Sequence, residues 1–156
     1  KTIGEDYDYP FANVRQYFEN DDFTIINLEG PLTDSASGAQ VKTFAFRGPT
    51  AYTQIMTGSS VEAVTLANNH AEDYGKAGYE STTNALTGAG IPFVEENKTT
   101  LVTTESGLVI GLYADAFTFS VSDIQKNVKK LRDSGAEIVI CAFHWGTEGS
   151  YRPTAD

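Results

Sequence analysis

The sequence predicts an α/β fold in which a mostly parallel inner sheet lies between helices. Two observations support this prediction. Short apolar runs rich in β-branched residues recur along the chain between turn residues, at 23–28, 61–67 and 137–143. Segments with apolar residues at helical spacing separate these runs, and 75–89 is the longest of them. Alternating strands and helices are typical of layered proteins with parallel strands.

The first half of the chain is predicted to contain two helices and three strands. Apolar residues recur at i, i+3 and i+7 between Phe11 and Phe18, which predicts a helix over 10–20. A short helix is expected from Gly48 to about Met56, because Pro49 suits a first helical turn. The three strands are expected at 23–28, 42–47 and 61–67, the second of them half-exposed because polar and apolar residues alternate.

The second half is predicted to continue the alternation. The helix over 75–89 should end at the glycines that follow its last apolar residue. A short strand at 91–94 precedes a hairpin whose two strands flank Glu105-Ser106-Gly107. Ser122 and Gln125 fit a capping box for the next helix. A final buried strand is expected at 137–143.

Composition narrows the possible functions. A length of 156 residues fits one domain with a core of its own. The net charge of −10 argues against nucleic acid as a partner, and it disfavours a polyanionic substrate unless a cation is bound. Cys141 stands alone in an apolar run, which predicts a small core residue and no internal disulfide. No apolar run approaches the length of a transmembrane helix.

Three predicted strands end in side chains of the metal-ligand type. These side chains are Glu29 after the first buried strand, Asn68, Asn69 and His70 after the second, and His144 after the last, with Glu148 nearby. The strands are expected to be neighbours in one sheet, so their carboxyl ends should converge. Carboxylate, amide oxygen and imidazole together suit Mn²⁺, Zn²⁺ or Fe²⁺. The second histidine would then be free for proton transfer.

Each candidate residue also has a structural interpretation, and the pattern alone leaves both open. Glu29 could cap a turn, and the amides of Asn68 and Asn69 could hydrogen-bond to backbone groups of a strand-to-helix turn. His70 could be a turn residue, and His144 a packed residue at the edge of a sheet. Arg47 could be a surface charge, and Asp73 a helix cap.

Five segments resemble, in order along the chain, those of the bacterial capsule-synthesis CapA family, which is linked to poly-γ-glutamate. They are 22–32 with N-L-E-G-P-L, 44–47 with F-x-F-R, 67–75 with A-N-N-H-x-x-D-x-G, 88–91 with a-G-I, and 143–148 with H-W-G-x-E. That family is similar to the calcineurin-like metallophosphoesterases. The resemblance therefore implies a layered α-β-β-α sandwich with a two-metal site at its strand ends.

The resemblance also implies a role for each site residue. Glu29, Asn69 and His144 would be metal ligands, and His70 would be the acid that protonates the leaving group. The residues expected to contact the substrate or to support the ligands are Arg47, Asn68, Asp73 and Glu148. The cofactors would be two divalent ions, Mn²⁺, Zn²⁺ or Fe²⁺. The family's first Gly-Asp strand and its C-terminal G-H-x-H segment are absent, so 1–156 is expected to be one partial domain with about half of that site.

The function implied is that of a metal-dependent hydrolase in capsule or poly-γ-glutamate biosynthesis, which cleaves a phosphoester or a γ-glutamyl amide. The alternative is a non-catalytic envelope component that binds or guides poly-γ-glutamate during assembly or export. A third possibility is a degenerate relative with neither activity. Expected partners are poly-γ-glutamate or a small phosphoester or γ-glutamyl substrate, together with other capsule-synthesis membrane proteins. The expected location is extracellular or at the bacterial cell envelope.

Overall fold

A computed structural model describes residues 3–117, 119–147 and 149–152. Two 3₁₀ turns, Tyr9–Phe11 and Thr50–Tyr52, precede the first two α-helices. The helices are α1 (Arg15–Phe18), α2 (Thr53–Thr57), α3 (Gly75–Gly88) and α4 (Val121–Asp133). The strands are β1 (Ile25–Asn27), β2 (Ala63–Thr65), β3 (Phe93–Val94), β4 (Lys98–Thr103), β5 (Val109–Ala116) and β6 (Ile138–His144).

The strands form two three-stranded sheets. In the first sheet, β1, β2 and β3 are parallel and adjacent in that order. In the second, β4 pairs antiparallel with β5, and β5 pairs parallel with β6. The predicted α/β class is confirmed, as is the β4–β5 hairpin. The expectation that β6 is a neighbour of β1 and β2 is wrong, because β6 pairs with β5 in the other sheet.

Apolar clusters show how the elements pack. One cluster draws on both sheets, with Ala63 of β2 and Val94 of β3 against Leu112 of β5. The opposite face of the first sheet is covered by helices, and Val64 packs there in a cluster with Leu86 of α3. On the outside of the second sheet, Tyr113 packs with Leu131 and its neighbours on α4. Apolar side chains therefore pack on both faces of each sheet.

Cys141 belongs to the packing between β6 and α4, in line with its prediction as a core residue. Its side chain is half-buried, and burial raises the pKa of the thiol. Over the part of the chain described here, none of the helices is both long and apolar enough to span a bilayer.

Three local predictions were wrong. The helix expected over 10–20 is reduced to a 3₁₀ turn and the single turn α1, because Val14 leaves helical geometry at φ −122°. The strand expected over 42–47 does not form, and the Phe46 N–H donates to the Asp73 carboxylate instead of to a neighbouring strand. Helix α4 begins two residues earlier than predicted, because its N-cap is Ser120, whose hydroxyl accepts the Asp123 N–H, and not Ser122.

Candidate functional site

Asn68 fixes the turn that follows β2. Its Nδ2 donates to Asn27 Oδ1 and to the Leu28 carbonyl, each at 2.9 Å. Its Oδ1 accepts the His70 N–H, also at 2.9 Å. The amide therefore satisfies backbone groups at a strand-to-helix turn, which was the structural alternative for this residue. It also joins the end of β1 to the residues that follow β2.

Glu29, Asn69 and His144 lie side by side. His144 Nε2 is 3.1 Å from Asn69 Oδ1 and 3.9 Å from Glu29 Oε1. Glu29 and Asn69 follow strands of the first sheet, whereas His144 ends β6 in the second. The predicted convergence of these three side chains is therefore present, although it occurs across two sheets. The other Glu29 oxygen, Oε2, accepts a hydrogen bond from the Asn27 amide.

The donor chemistry of these three side chains fits a divalent cation. Two acceptor oxygens face one imidazole nitrogen, an arrangement that suits either an imidazole N–H or a cation between them. Ligand atoms bonded to one ion at about 2.1 Å lie roughly 3–3.5 Å apart; the 3.1 Å pair falls within this range and the 3.9 Å pair slightly beyond it. Among the residues described, no group of three His, Cys, Asp or Glu side chains is placed to hold a metal ion, so the third donor of this set is the asparagine amide.

His70 is held by a buried carboxylate. Its Nδ1 lies 2.8 Å from Asp73 Oδ2, and the Asp73 side chain is fully buried. The same oxygen accepts the Phe46 N–H at 2.6 Å, and Oδ1 forms an ion pair with the Lys42 ammonium. Burial by itself would raise the pKa of Asp73, but the bonds from Lys42, Phe46 N–H and His70 outweigh it and hold that pKa below its usual value. Asp73 is not a helix cap, since α3 has no side-chain cap.

Two residues of this arrangement were missed from the sequence. The Phe46 ring covers His70, with centroids 4.2 Å apart and planes inclined by 37°. Lys42 Nζ, besides pairing with Asp73, donates to the Asn69 carbonyl at 3.0 Å. The i, i+3 spacing of His70 and Asp73 was a local clue to their pairing. Phe46 lies in the F-x-F-R segment, but no local pattern places it or Lys42 beside residues 69–73, because their contacts span 27 residues of chain.

Arg47 points to a different group of residues. Its Nη1 donates to the Thr33 carbonyl at 3.1 Å, and its guanidinium lies 5.6 Å from the centroid of the Tyr74 ring. The residue is exposed, as its structural alternative proposed. Glu148, the other predicted supporting residue near β6, lies outside the described residues.

A cavity of about 430 Å³ opens beside Asn69. It has the size of a small-molecule site. Its charged lining consists of Glu72, Glu95, Glu96 and Lys98. Burial raises the pKa of Glu96, and the negative charges of Asp115 and Glu72 raise it further. The cavity is therefore acidic, with three carboxyl groups against one ammonium.

An aromatic cluster borders the site behind His144. Phe143 stacks on Phe119 at 4.4 Å between centroids, and the Trp145 ring meets both rings edge-on at 5.5–5.8 Å. Trp145 remains half-exposed. The chain that leaves β6 is therefore anchored by aromatic packing directly after His144.

Comparisons with known proteins agree on one family. The model of the bacterial capsule synthesis protein family, PGA_cap, matches residues 1–156. A protein of Mycobacterium tuberculosis (strain H37Rv) named "Probable polyglutamine synthesis accessory protein" is 32% identical over 106 residues, which are 67% of this chain and 28% of that protein. The capsule biosynthesis protein CapA of Bacillus anthracis is 23% identical over 175 residues, covering 94% of this chain and 43% of CapA. The chain thus spans less than half the length of these relatives.

Proposed function

Because the chain belongs to the bacterial capsule synthesis protein family, we propose that it is the metal-dependent hydrolase domain of a capsule or poly-γ-glutamate biosynthesis protein. The observation that carries this proposal is the meeting of Glu29, Asn69 and His144 next to the buried His70–Asp73 pair. An acid–base group beside a set of convergent metal donors is typical of hydrolytic sites. The neighbouring cavity offers room for a substrate.

Each residue has a distinct part in this proposal. Glu29, Asn69 and His144 hold a divalent ion, Mn²⁺, Zn²⁺ or Fe²⁺. When bound, the ion supplies Lewis-acid chemistry by withdrawing electron density from the scissile group. His70 donates a proton to the leaving group from Nε2, because its Nδ1 faces Asp73. A second ion requires ligands in addition to these three.

The fold proposed for the domain is the metallophosphoesterase-like sandwich. It is supported by the cluster shared between the two sheets and by the helices packed on their outer faces. The proposed location is the bacterial cell envelope or its exterior, by analogy with the CapA relative, which is a capsule biosynthesis protein. Other proteins of capsule synthesis are the proposed partners there.

A purely polymer-binding role is a weaker proposal for this site. Poly-γ-glutamate is a polyanion, whereas the cavity beside Asn69 is lined by three glutamates and one lysine. The whole chain carries a net charge of −10. Polymer carboxylates would therefore be repelled unless bound cations bridged them to the protein.

The test is hydrolysis by the full-length protein loaded with Mn²⁺, Zn²⁺ or Fe²⁺. The substrates are a p-nitrophenyl phosphodiester and a γ-glutamyl anilide. His70→Ala should lower kcat by about 10²–10⁴-fold, the usual contribution of a general acid, while the protein still binds metal. Lys126→Ala on α4 is the control and should keep full turnover. Absence of turnover on both substrates with every ion would reject the hydrolase, and full turnover in His70→Ala would reject the proton donor.

A further inference from the structure

Lys42 contacts two parts of the candidate site at once. Its ammonium forms an ion pair with Asp73, the carboxylate that holds His70, and donates to the Asn69 carbonyl at 3.0 Å. The Lys42 side chain is 30% exposed, so it reaches from the surface to a fully buried partner. The Lys42 side chain therefore bridges the Asp73 carboxylate, which holds the proposed proton donor His70, and the backbone of Asn69, a proposed metal ligand.

Asp73 accepts further bonds from the same part of the chain. Residues 40–46, here called the covering segment, also supply the Phe46 N–H to Asp73 Oδ2 and the Gln40 N–H to the Asp73 carbonyl. A buried carboxylate needs such partners, since an unpaired charge in the interior is costly. The covering segment is thus attached at Asp73, and its Phe46 ring lies over His70.

The division of the two Asp73 oxygens has a chemical consequence. Lys42 pairs with Oδ1, and Oδ2 faces His70 Nδ1 and the Phe46 N–H. A carboxylate oriented in this way accepts a hydrogen bond from the Nδ1–H of His70, so the neutral ring carries its proton at Nδ1. Its Nε2 is then free to take up the proton that the ring afterwards donates to the leaving group.

We infer that Lys42 is a positioning residue, which fixes the His70 ring through Asp73 and the Asn69 backbone through its carbonyl. This inference rests on the proposed function for what the positioned groups do. It goes beyond that function in assigning an ordering role to a lysine that touches neither the reacting atoms nor the proposed ion. Residues that orient ligands or acid–base groups in this way typically change activity by about 10–100-fold when removed.

The first test measures the tautomeric state of the His70 ring and does not depend on enzymatic activity. NMR of ¹⁵N-histidine-labelled protein at alkaline pH distinguishes the two neutral tautomers, and a His144→Gln variant separates the signals of the two histidines. The wild-type protein should show His70 protonated at Nδ1. Lys42→Met, which keeps the length of the side chain but not its charge, should give a mixture of tautomers. Lys42→Arg should restore the wild-type tautomer, and Lys126→Met on α4 should leave it unchanged.

The second test uses turnover in the full-length protein. Lys42→Met should lower kcat by about 10–100-fold with little change in KM, because substrate binding in the cavity does not involve Lys42. Lys42→Arg should recover most of that loss. A role in stability alone would lower the amount of folded enzyme without changing kcat per folded molecule.

The outcomes separate this inference from the proposed function. Wild-type tautomers in Lys42→Met overturn the inference, and so does a wild-type kcat in that variant. If the wild-type protein hydrolyses nothing, the hydrolase proposal fails and the NMR result alone decides on Lys42. If Lys42→Met does not fold, hydrogen exchange of the wild-type protein decides. Slow exchange of the Gln40 and Phe46 amide protons would support the attachment of the covering segment at Asp73. Exchange as fast as in an unfolded chain would overturn that attachment, and the inference with it.

Discussion

The imidazole Nε2 of His144 lies 3.1 Å from the side-chain oxygen of Asn69, although His144 ends a strand of the second sheet and Asn69 follows a strand of the first. If an ion binds between them with Glu29, it binds the folded protein only, and it should raise the free energy of unfolding. At a free ion concentration 100 times Kd the gain is about 2.7 kcal/mol. The measurement is the melting temperature with and without Mn²⁺ or Zn²⁺.

Variants assign that shift to the site. His144→Ala and Glu29→Gln should abolish most of the rise in melting temperature, whereas His70→Ala should retain it. Glu80→Gln on the exposed side of α3 is the matched control for loss of a carboxylate. An equal rise in all of these variants would mean that the ion binds elsewhere.

Asn68 should matter for stability more than its polar side chain suggests. Asn68 is buried. Removal of its side-chain amide in Asn68→Ala leaves the Leu28 carbonyl and the His70 N–H without these hydrogen-bond partners. Each unsatisfied buried group costs about 1–3 kcal/mol. We expect urea unfolding to show a free energy of unfolding reduced by at least about 2 kcal/mol. Asn84→Ala, at an exposed position of α3, should leave stability unchanged or slightly raised.

Asp73 should make stability depend on pH in the acidic range. Its folded-state pKa lies below the ordinary value of 3.8, so the unfolded chain takes up the proton first as the pH falls. The stabilisation is therefore complete above about pH 4 and is lost as pH falls through the folded pKa. At neutral pH, Asp73→Asn should cost about 1.5–3 kcal/mol, the contribution of hydrogen bonds to a charged group.

Urea unfolding from neutral pH to about pH 3 measures this dependence. The difference between wild type and Asp73→Asn should shrink as the solution becomes more acidic. Asp133→Asn removes an exposed carboxylate paired with Lys129 and should change stability little at any pH. A constant difference across the whole range would contradict the assigned direction of the Asp73 pKa.

Gly30 is a position where no side chain fits. A Cβ there would lie 2.8 Å from the Cβ of Phe46, whose ring covers His70. Gly30→Ala should therefore displace the covering segment and destabilise the protein by about 1–3 kcal/mol. Gly88→Ala, where a Cβ meets nothing within 4 Å, is the control and should be neutral or stabilising. Equal unfolding curves for the two variants would show that Phe46 is not held where the structure has it.

The residues at the strand ends could be recognised from the sequence, because a strand of this kind is a local pattern of apolar, β-branched residues. β1, β2 and β6 are apolar and β-branched, and each ends at or shortly before a polar residue that lies in the N-L-E-G-P-L, A-N-N-H or H-W-G-x-E segment. Pairing between strands is not local. Nothing within 137–143 tells whether β6 joins β2 or β5, so its sheet was assigned wrongly.

The strand predicted over residues 42–47 does not form, for a related reason. Their alternation of polar and apolar residues resembles a half-exposed strand, yet a strand needs a partner at its edge. The Phe46 N–H instead donates a hydrogen bond to the Asp73 carboxylate, and the Phe44 side chain is 67% exposed. The role of Lys42 follows from this long-range contact alone. Such tertiary contacts override local propensity, and no window of sequence contains both partners.

The aromatic cluster behind His144 provides a built-in optical reporter. Trp145 is the single tryptophan of the sequence and directly follows His144. Its indole rests against Phe119 and Phe143 and is half-exposed to water. Indole emission responds to polarity and to nearby charge, so a cation arriving beside His144 should shift or quench the fluorescence of the unlabelled protein. Titration of the emission with a divalent ion therefore gives its affinity directly.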